Sequence, residues 1–283
     1  MTHKIITRVH PALRDDIGDL MTQRPVPGPH LDQVDPFLFL NHHGPQVYPP
    51  HNRGLPFGPH PHRGFETVTF ILDGLLAHRD SAGHESIIGP GGVQWMTAGR
   101  GIVHAEVSPR EFMERGGPLE ILQLWVNLPS RLKMTAPRYT GLQGEAIPTV
   151  EDDEGRVRVR LVSGAHGGVT GPFASLTGVF LSMVEMRAGG RLHLQGLLER
   201  NVFLYVVRGQ VQAPPETVSA MHLAEFDTEG DELVVTAVRD SLLLLGHAAP
   251  IGEPVVAHGP FVMNTREEIA QAIHDYQAGR FGQ

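Results

Sequence analysis

The chain has 283 residues, 41% of them hydrophobic and only 19% charged, which supplies apolar material for two cores and excludes a disordered chain. It holds no cysteine, so disulfides, thiolate zinc sites, iron–sulfur clusters and a cysteine nucleophile are excluded. Its 31 acidic against 23 basic residues leave a net charge of −8, the wrong sign for displacing counterions from phosphates, and no direct nucleic-acid binding is expected.

The opening residues, Met1-Thr2-His3-Lys4-Ile5-Ile6-Thr7-Arg8, lack the apolar core of roughly 7–15 residues that a signal peptide needs. No apolar run approaches the roughly 18 residues of a membrane span, so no membrane association and a cytoplasmic location are expected. The 33 glycines and 23 prolines match many short strands joined by tight turns. The first predicted strand is 37–40, after the turn signal Asp35-Pro36, and a Pro/His/Gly-rich loop is predicted over 44–61. Strands follow at 66–72, 75–79, 85–88, 92–96 and 120–127, close to the spacing of a sandwich or barrel, with a short helix at 109–115.

A polar stretch over 128–153, broken by Pro129, Pro137 and Pro148 and ending in the acidic run at 151–154, reads as a connector. Strands resume at 157–162, 179–186, 201–207, 209–212, 232–237 and 241–245. The halves are alike: His60-Pro61-His62 to Asp73-Gly74 parallels His193 to Arg208-Gly209, as a duplicated barrel would. The expected division is therefore 1–130, a connector at 131–155, and 156–283. Near the end, Ile269, Ala272, Ile273 and Tyr276 share one helical face over 265–276, Thr265 and Glu268 form a capping box, and Gly279 supplies the stop.

The chemistry concentrates between His42 and Glu106, which hold eight of the 17 histidines. His60-x-His62 leads into a strand, where alternation points both imidazoles the same way, and His104-x-Glu106 repeats the device after the turn Gly99-Arg100-Gly101. On neighbouring strands the two pairs would bring three imidazoles and a carboxylate to one point, a ligand set that accepts Fe(II), Mn, Cu, Ni, Co or Zn. Spacing alone leaves open whether Glu66 or Glu106 is the carboxylate. His42, His43 and His51 are read as solvated loop residues, with lining of the pocket mouth as the alternative, and His78 and His84 as surface residues beside a hairpin. Trp95 is read as core or pocket wall. Arg63 and Arg100, beside the ligands, are read as holding an anionic substrate or as ion-pairing at the surface.

The flanks of these residues resemble the cupin superfamily. Gly54-(x5)-His60-x-His62-(x3)-Glu66-(x7)-Gly74 is close to its first motif, and Gly101-(x2)-His104 matches the core of the second, without its usual proline and asparagine. More narrowly, the chain resembles the pirin family. The stretches that carry the resemblance are Asp35-Pro36-Phe37-Leu38, the run from His60 to Thr69, the run from Gln94 to Glu106, Gln123 to Pro129, and Gly259 to Thr265. It implies an all-β fold of two tandem cupin (jelly-roll-type β-barrel) domains with a short C-terminal helix. It also implies one divalent metal, Fe(II) first among the candidates, on His60, His62, His104 and Glu106. Glu106 then doubles as the catalytic base, and Glu66 orients an imidazole from behind.

Opposite those ligands the second half offers Gln195 and Leu197, so its cupin is expected to be metal-free. The activity implied is that of a quercetin 2,3-dioxygenase, acting on a small aromatic, flavonol-like substrate and O2 with release of carbon monoxide. The alternative is a metal- and redox-dependent regulator whose partner is a transcription factor or a metabolic enzyme.

Overall fold

Short alternating runs punctuated by glycine and proline fold as antiparallel sheets. In the computed structural model, which describes residues 2–282, α-helix among the described residues is confined to Arg110–Arg115 and Arg266–Gln277. Met1 and Gln283, the outermost positions of the two expected domains, lie outside the described residues. No helix is long and apolar enough to cross a membrane.

The chain divides into two compact units, each assembled from separated segments. The histidine-bearing unit comprises Arg14–Gln23, Phe37–Ala146 and Ile251–Gln283. One of its sheets runs, from the edge inwards, Arg138–Leu142, Val93–Thr97, Phe65–Asp73, Gly117–Asn127 and Phe37–Tyr48. The other has the order Phe57–His62, Ile102–Val107, Leu76–Asp80, Glu85–Ile88. Leu20, Tyr48, Leu55, Ile71, Leu76, Ile88, Phe112, Leu119 and Ile121 pack together as one of its cores; fully burying such a side chain is worth ~1.5–3 kcal/mol.

The second unit comprises Met1–Leu13, Arg24–Pro36 and Ile147–Pro250. Its sheet has the order Ile6–Pro11, His222–Phe226, Asn201–Ala213, Glu232–Ala248, Phe180–Met186, Val157–Ser163, Thr149–Asp152. The two long strands bend at register shifts near Val206, Arg208 and Gln210, which is why each reads in the sequence as two short strands, broken at Arg208-Gly209 in the first and at Val238-Arg239-Asp240 in the second. Leu192, Leu194 and Leu197 belong to the core of this unit, alongside Val159, Val206 and Leu245.

The units thus exchange their chain ends, which the sequential division at 130 and 155 does not anticipate. Ile6–Pro11 pairs with His222–Phe226, an assignment hidden in the sequence because ITRVHP does not alternate cleanly. The tail residues Phe261, Met263, Ile269, Ala272 and Phe281 form a core cluster that also takes in Val103 of the histidine-bearing unit. Nor is 131–155 a bare connector: Arg138–Leu142 pairs with Val93–Thr97, and Thr149–Asp152 with Val157–Ser163. The predicted loop at 44–61 is largely strand, since Phe37–Tyr48 runs on through His42 and His43 and Phe57–His62 pairs with Ile102–Val107.

Candidate metal centre

Phe57–His62 and Ile102–Val107 pair antiparallel with His60 opposite His104. His62 lies two residues on, so alternation puts all three imidazoles on one face. Each offers a nitrogen within 4.8 Å of the others. The ring centroids of His60 lie 4.8 Å from His62 and 4.4 Å from His104, and those of His62 and His104 are 4.9 Å apart. His60 is partly exposed at the rim, while His62 and His104 are buried.

The protonation of the cluster is set by its surroundings. The Nδ1–H of His60 donates to the Gly58 carbonyl at 2.7 Å and that of His62 to the Pro260 carbonyl at 3.3 Å. Both bonds leave Nε2 as the unprotonated nitrogen. Burial, with repulsion from His60, pushes the His62 pKa down to about 3; burial and the neighbouring imidazoles hold His104 well below the ordinary histidine range. Burial also lowers His60. Three neutral imidazoles therefore face one another, which is the ligating form.

His104 supplies the test of fit. Both of its ring nitrogens are buried and neither has a hydrogen-bond partner. Leaving a buried polar group unpaired costs ~1–3 kcal/mol, and a divalent ion on the three imidazoles satisfies one of these nitrogens. The donor set fits Fe(II), Ni, Co, Mn, Cu and Zn alike.

Glu106, read as the fourth ligand, shares a face with His104 but is not part of the cluster of three. Its buried carboxylate accepts from Thr69 Oγ1 at 3.0 Å and from the amides of Gln94 and Gln123. Burial pushes its pKa up to about 7.

The other sequence-predicted residues are placed as follows. Glu66 does not orient an imidazole: its Oε1 accepts from Thr97 Oγ1 at 2.6 Å and its Oε2 is buried without a hydrogen bond. The reason is Gly64. Its φ of +89° turns the chain between the strands 57–62 and 65–73, so the even-numbered face that carries His60 and His62 does not continue to Glu66. Phe65, against His62, and Thr69, against Glu106, face the site instead. Trp95 likewise belongs to the opposite face, because its neighbour Gln94 reaches Glu106 and alternation turns Trp95 away.

Arg63 is not available to a substrate. It is buried, donates through Nε to the Arg100 carbonyl at 2.6 Å and through Nη1 to Asp275 at 2.8 Å, and lies 4.6 Å over the Phe281 ring. Arg100 is exposed in the turn that joins the strands 93–97 and 102–107.

Three histidines depart from the solvated or surface reading. His42 bonds Glu120 at 2.9 Å and His43 bonds Thr22 at 2.8 Å, both buried in Phe37–Tyr48. His78 is buried, bonds Asp80 at 2.9 Å, stacks on Tyr139 at 3.8 Å and stands 5.4 Å from His104. His51 and His84 are exposed.

Sequence reasoning passed over an aromatic wall: Trp125 lies 5.4 Å from His62, 4.4 Å from Phe65 and 4.7 Å from Phe39, on which it stacks. It also passed over Gln94 and Gln123, which hold Glu106. The available signal was the alternation of Gln123 and Trp125 along one strand, opposite Asn41 and Phe39 on the next.

Comparison with known proteins agrees with this architecture. The family model described as Pirin matches residues 19–126, and the model described as Pirin C-terminal cupin domain matches 181–282. A pirin-like protein of Caulobacter vibrioides is 43% identical over 256 residues, 89% of this chain and 90% of the relative. A pirin-like protein of Solanum lycopersicum is 36% identical over 282 residues, 98% of this chain and 92% of the relative. The crystal structure titled quercetin 2,3-dioxygenase from Acinetobacter baumannii superposes with a TM-score of 0.93 at 33% identity, covering 99% of each chain.

Proposed function

The chain belongs to the pirin family, and on that premise we propose that it is a divalent-metal-dependent dioxygenase that opens a flavonol such as quercetin with O2 and releases carbon monoxide. The observation that carries the reading is the buried His104, both nitrogens unpartnered, within a cluster of three neutral imidazoles beside the Trp125 wall. His60, His62 and His104 hold the metal, with Glu106 as the fourth ligand or as the base beside it. Fe(II) is the metal proposed, from a donor set that also accepts Ni, Mn, Co, Cu and Zn.

A bound ion supplies Lewis acidity toward the 3-hydroxy-4-keto unit of the flavonol and a place for dioxygen. The protein's own residues do the rest. Trp125 and Phe39, stacked on each other, present an apolar edge that aligns a planar aromatic ring near His62 and keeps water from it. Glu106 takes the 3-hydroxyl proton; its pKa near 7 matches a base that must accept and release a proton at neutral pH. Gln94, Thr69 and Gln123 hold that carboxylate on the site's face while it is charged. In the balanced reaction both atoms of O2 end in the ring-opened ester, and the carbon that bore the 3-hydroxyl leaves as CO.

The test is anaerobic loading with Fe(II), then mixing with quercetin and oxygen. The flavonol absorbance is expected to fall with one CO released per turnover. His104→Ala is expected to lose both metal and turnover. His193→Ala, an exposed histidine paired with Glu232 in the other unit, is expected to keep both. Absence of turnover with Fe, Ni, Mn, Co and Cu alike would end the enzymatic reading and leave the regulatory one.

A further inference from the structure

Arg63 and the C-terminal tail explain a feature that the ligands alone do not: what holds His62 in its ligating direction. We propose that the tail over 251–282 is a positioning element of the metal centre, with Arg63 and Asp275 as its positioning residues. The inference rests on the three-histidine metal reading and extends it to residues that touch neither metal nor substrate.

The contact to the ligand is direct. The Pro260 carbonyl accepts the Nδ1–H of His62 at 3.3 Å, which fixes the tautomer that leaves Nε2 free. The next residues are laced to the ligand strand, with the Val262 N–H donating to the Arg63 carbonyl at 3.0 Å. Lys133, fully buried, adds a second stitch. Its Nζ donates to the carbonyls of Gly64 at 2.9 Å and Val262 at 3.0 Å, and to Asn127 Oδ1 at 2.8 Å. The fit is close enough to demand glycine at 64, where a Cβ would stand 1.9 Å from the Val262 carbonyl oxygen.

The helix completes the clamp. Asp275 accepts Arg63 Nη1 at 2.8 Å, and its other oxygen is held by Gln271 at 2.8 Å and Arg280 at 2.9 Å. Arg63 also donates Nε to the carbonyl of Arg100, in the turn that feeds the strand of His104. The Gly282 N–H donates to the Gly101 carbonyl of the same turn at 3.2 Å. One guanidinium therefore ties together the segment after His62, the segment before His104 and the tail helix. A carboxylate at 275 is what keeps this buried cation in place.

The experiment reads Co(II) affinity by chelator competition, the Co(II) absorption spectrum, and the 15N shifts of the His62 ring in the metal-free protein. Asp275→Asn, with its fold checked by circular dichroism, is expected to weaken Co(II) binding about 10-fold or more, to shift the Co(II) bands, and to move the His62 ring toward mixed tautomers. Arg63→Gln, which also removes the bond to the Arg100 carbonyl, is expected to do at least as much, and the double variant to lose no more than Arg63→Gln alone, because the contact that Asp275→Asn breaks is then already gone. Val159→Ala, a core substitution in the other unit, is expected to leave Co(II) affinity within twofold.

If Asp275→Asn does not fold, Gln271→Ala and Arg280→Ala, which remove only the outer supports of Asp275, are expected to weaken binding by smaller factors in the same order. Wild-type affinity and an unchanged spectrum in the folded Asp275→Asn protein, or in both outer variants, overturn the proposal while leaving the metal reading intact. So does an equal loss in Val159→Ala. A wild-type protein that binds no Co(II) overturns the metal reading itself, and this inference with it.

Discussion

Glu66 and Glu106 are both carboxyls pushed up to about 7 by burial, yet one faces the histidine cluster and the other the opposite side of its sheet. Glu66 accepts hydrogen bonds from the Thr97 hydroxyl and the Trp95 side chain, and its Oε2 has none. Its native pKa lies above the ordinary value of 4.5, so the folded protein holds a proton that the unfolded chain gives up. Between those two values the folded state binds more protons than the unfolded one, and stability falls as pH rises. Glu66→Gln keeps the shape without the ionisation. It is expected to stabilise by no more than about 1 kcal/mol at pH 5 and by about 3 kcal/mol at pH 8, measured by urea unfolding at both values. An equal effect at the two pH values would mean that Glu66 titrates normally. At this scale the sequence announced His60, His62 and His104 through pairing at alternating positions, and it misplaced Glu66. Counting by twos from His62 crosses Gly64, and a positive φ there resets which residues face inwards. His78 was hidden for the opposite reason: the turn at 81–83 dominated its reading, while Leu76, His78 and Asp80 form one inward-facing row.

Among the elements, most strands were legible because their period of two is fed by one buried face, and the tail helix was legible through its capping box, in which the Glu268 N–H donates to Thr265 Oγ1 and the Thr265 N–H to Glu268 Oε2. What the helix does was not legible. Its buried Asp275 looks in the sequence like one more polar residue on a solvated face, and Arg63, which pairs with it, lies 212 positions away. Lys133 was equally silent, one of three basic residues in a stretch that reads as a connector. All three hydrogen bonds of its ammonium go to neutral oxygens, two of them backbone carbonyls on the segments the tail joins. Lys133→Met fills similar volume but leaves those buried acceptors short of a donor, at ~1–3 kcal/mol for each one left unpaired. The expected result is a loss of about 3 kcal/mol in urea unfolding, with faster proteolytic release of the tail than of any other segment. A loss under about 0.5 kcal/mol would place the stitch elsewhere, in the apolar contacts of Phe261, Met263 and Phe281.

For the whole molecule, the exchange of chain ends between the two units decides how it can be divided. The repeat seen in the sequence implies two consecutive barrels that a single cut would separate. In the structure, a cut after Ala146 removes Ile251–Gln283 from the histidine-bearing unit and strands Ile6–Pro11 without His222–Phe226. The fragment 1–146 would keep all three clustered histidines but lose the Pro260 carbonyl, the Asp275 partner of buried Arg63, and the Val262 side chain that packs on Phe65 and Leu38. It is expected to bind the apolar dye ANS, to associate on size-exclusion chromatography, and to hold Co(II) at least 10-fold more weakly than the full chain. Co-expression with 147–283 is expected to restore both a single species and the affinity, because the segments that each unit lacks are then present on the other fragment. A fragment 1–146 that is monomeric, unfolds cooperatively and binds Co(II) as the intact protein does would make the exchange of ends incidental, and the metal centre would belong to the first half alone.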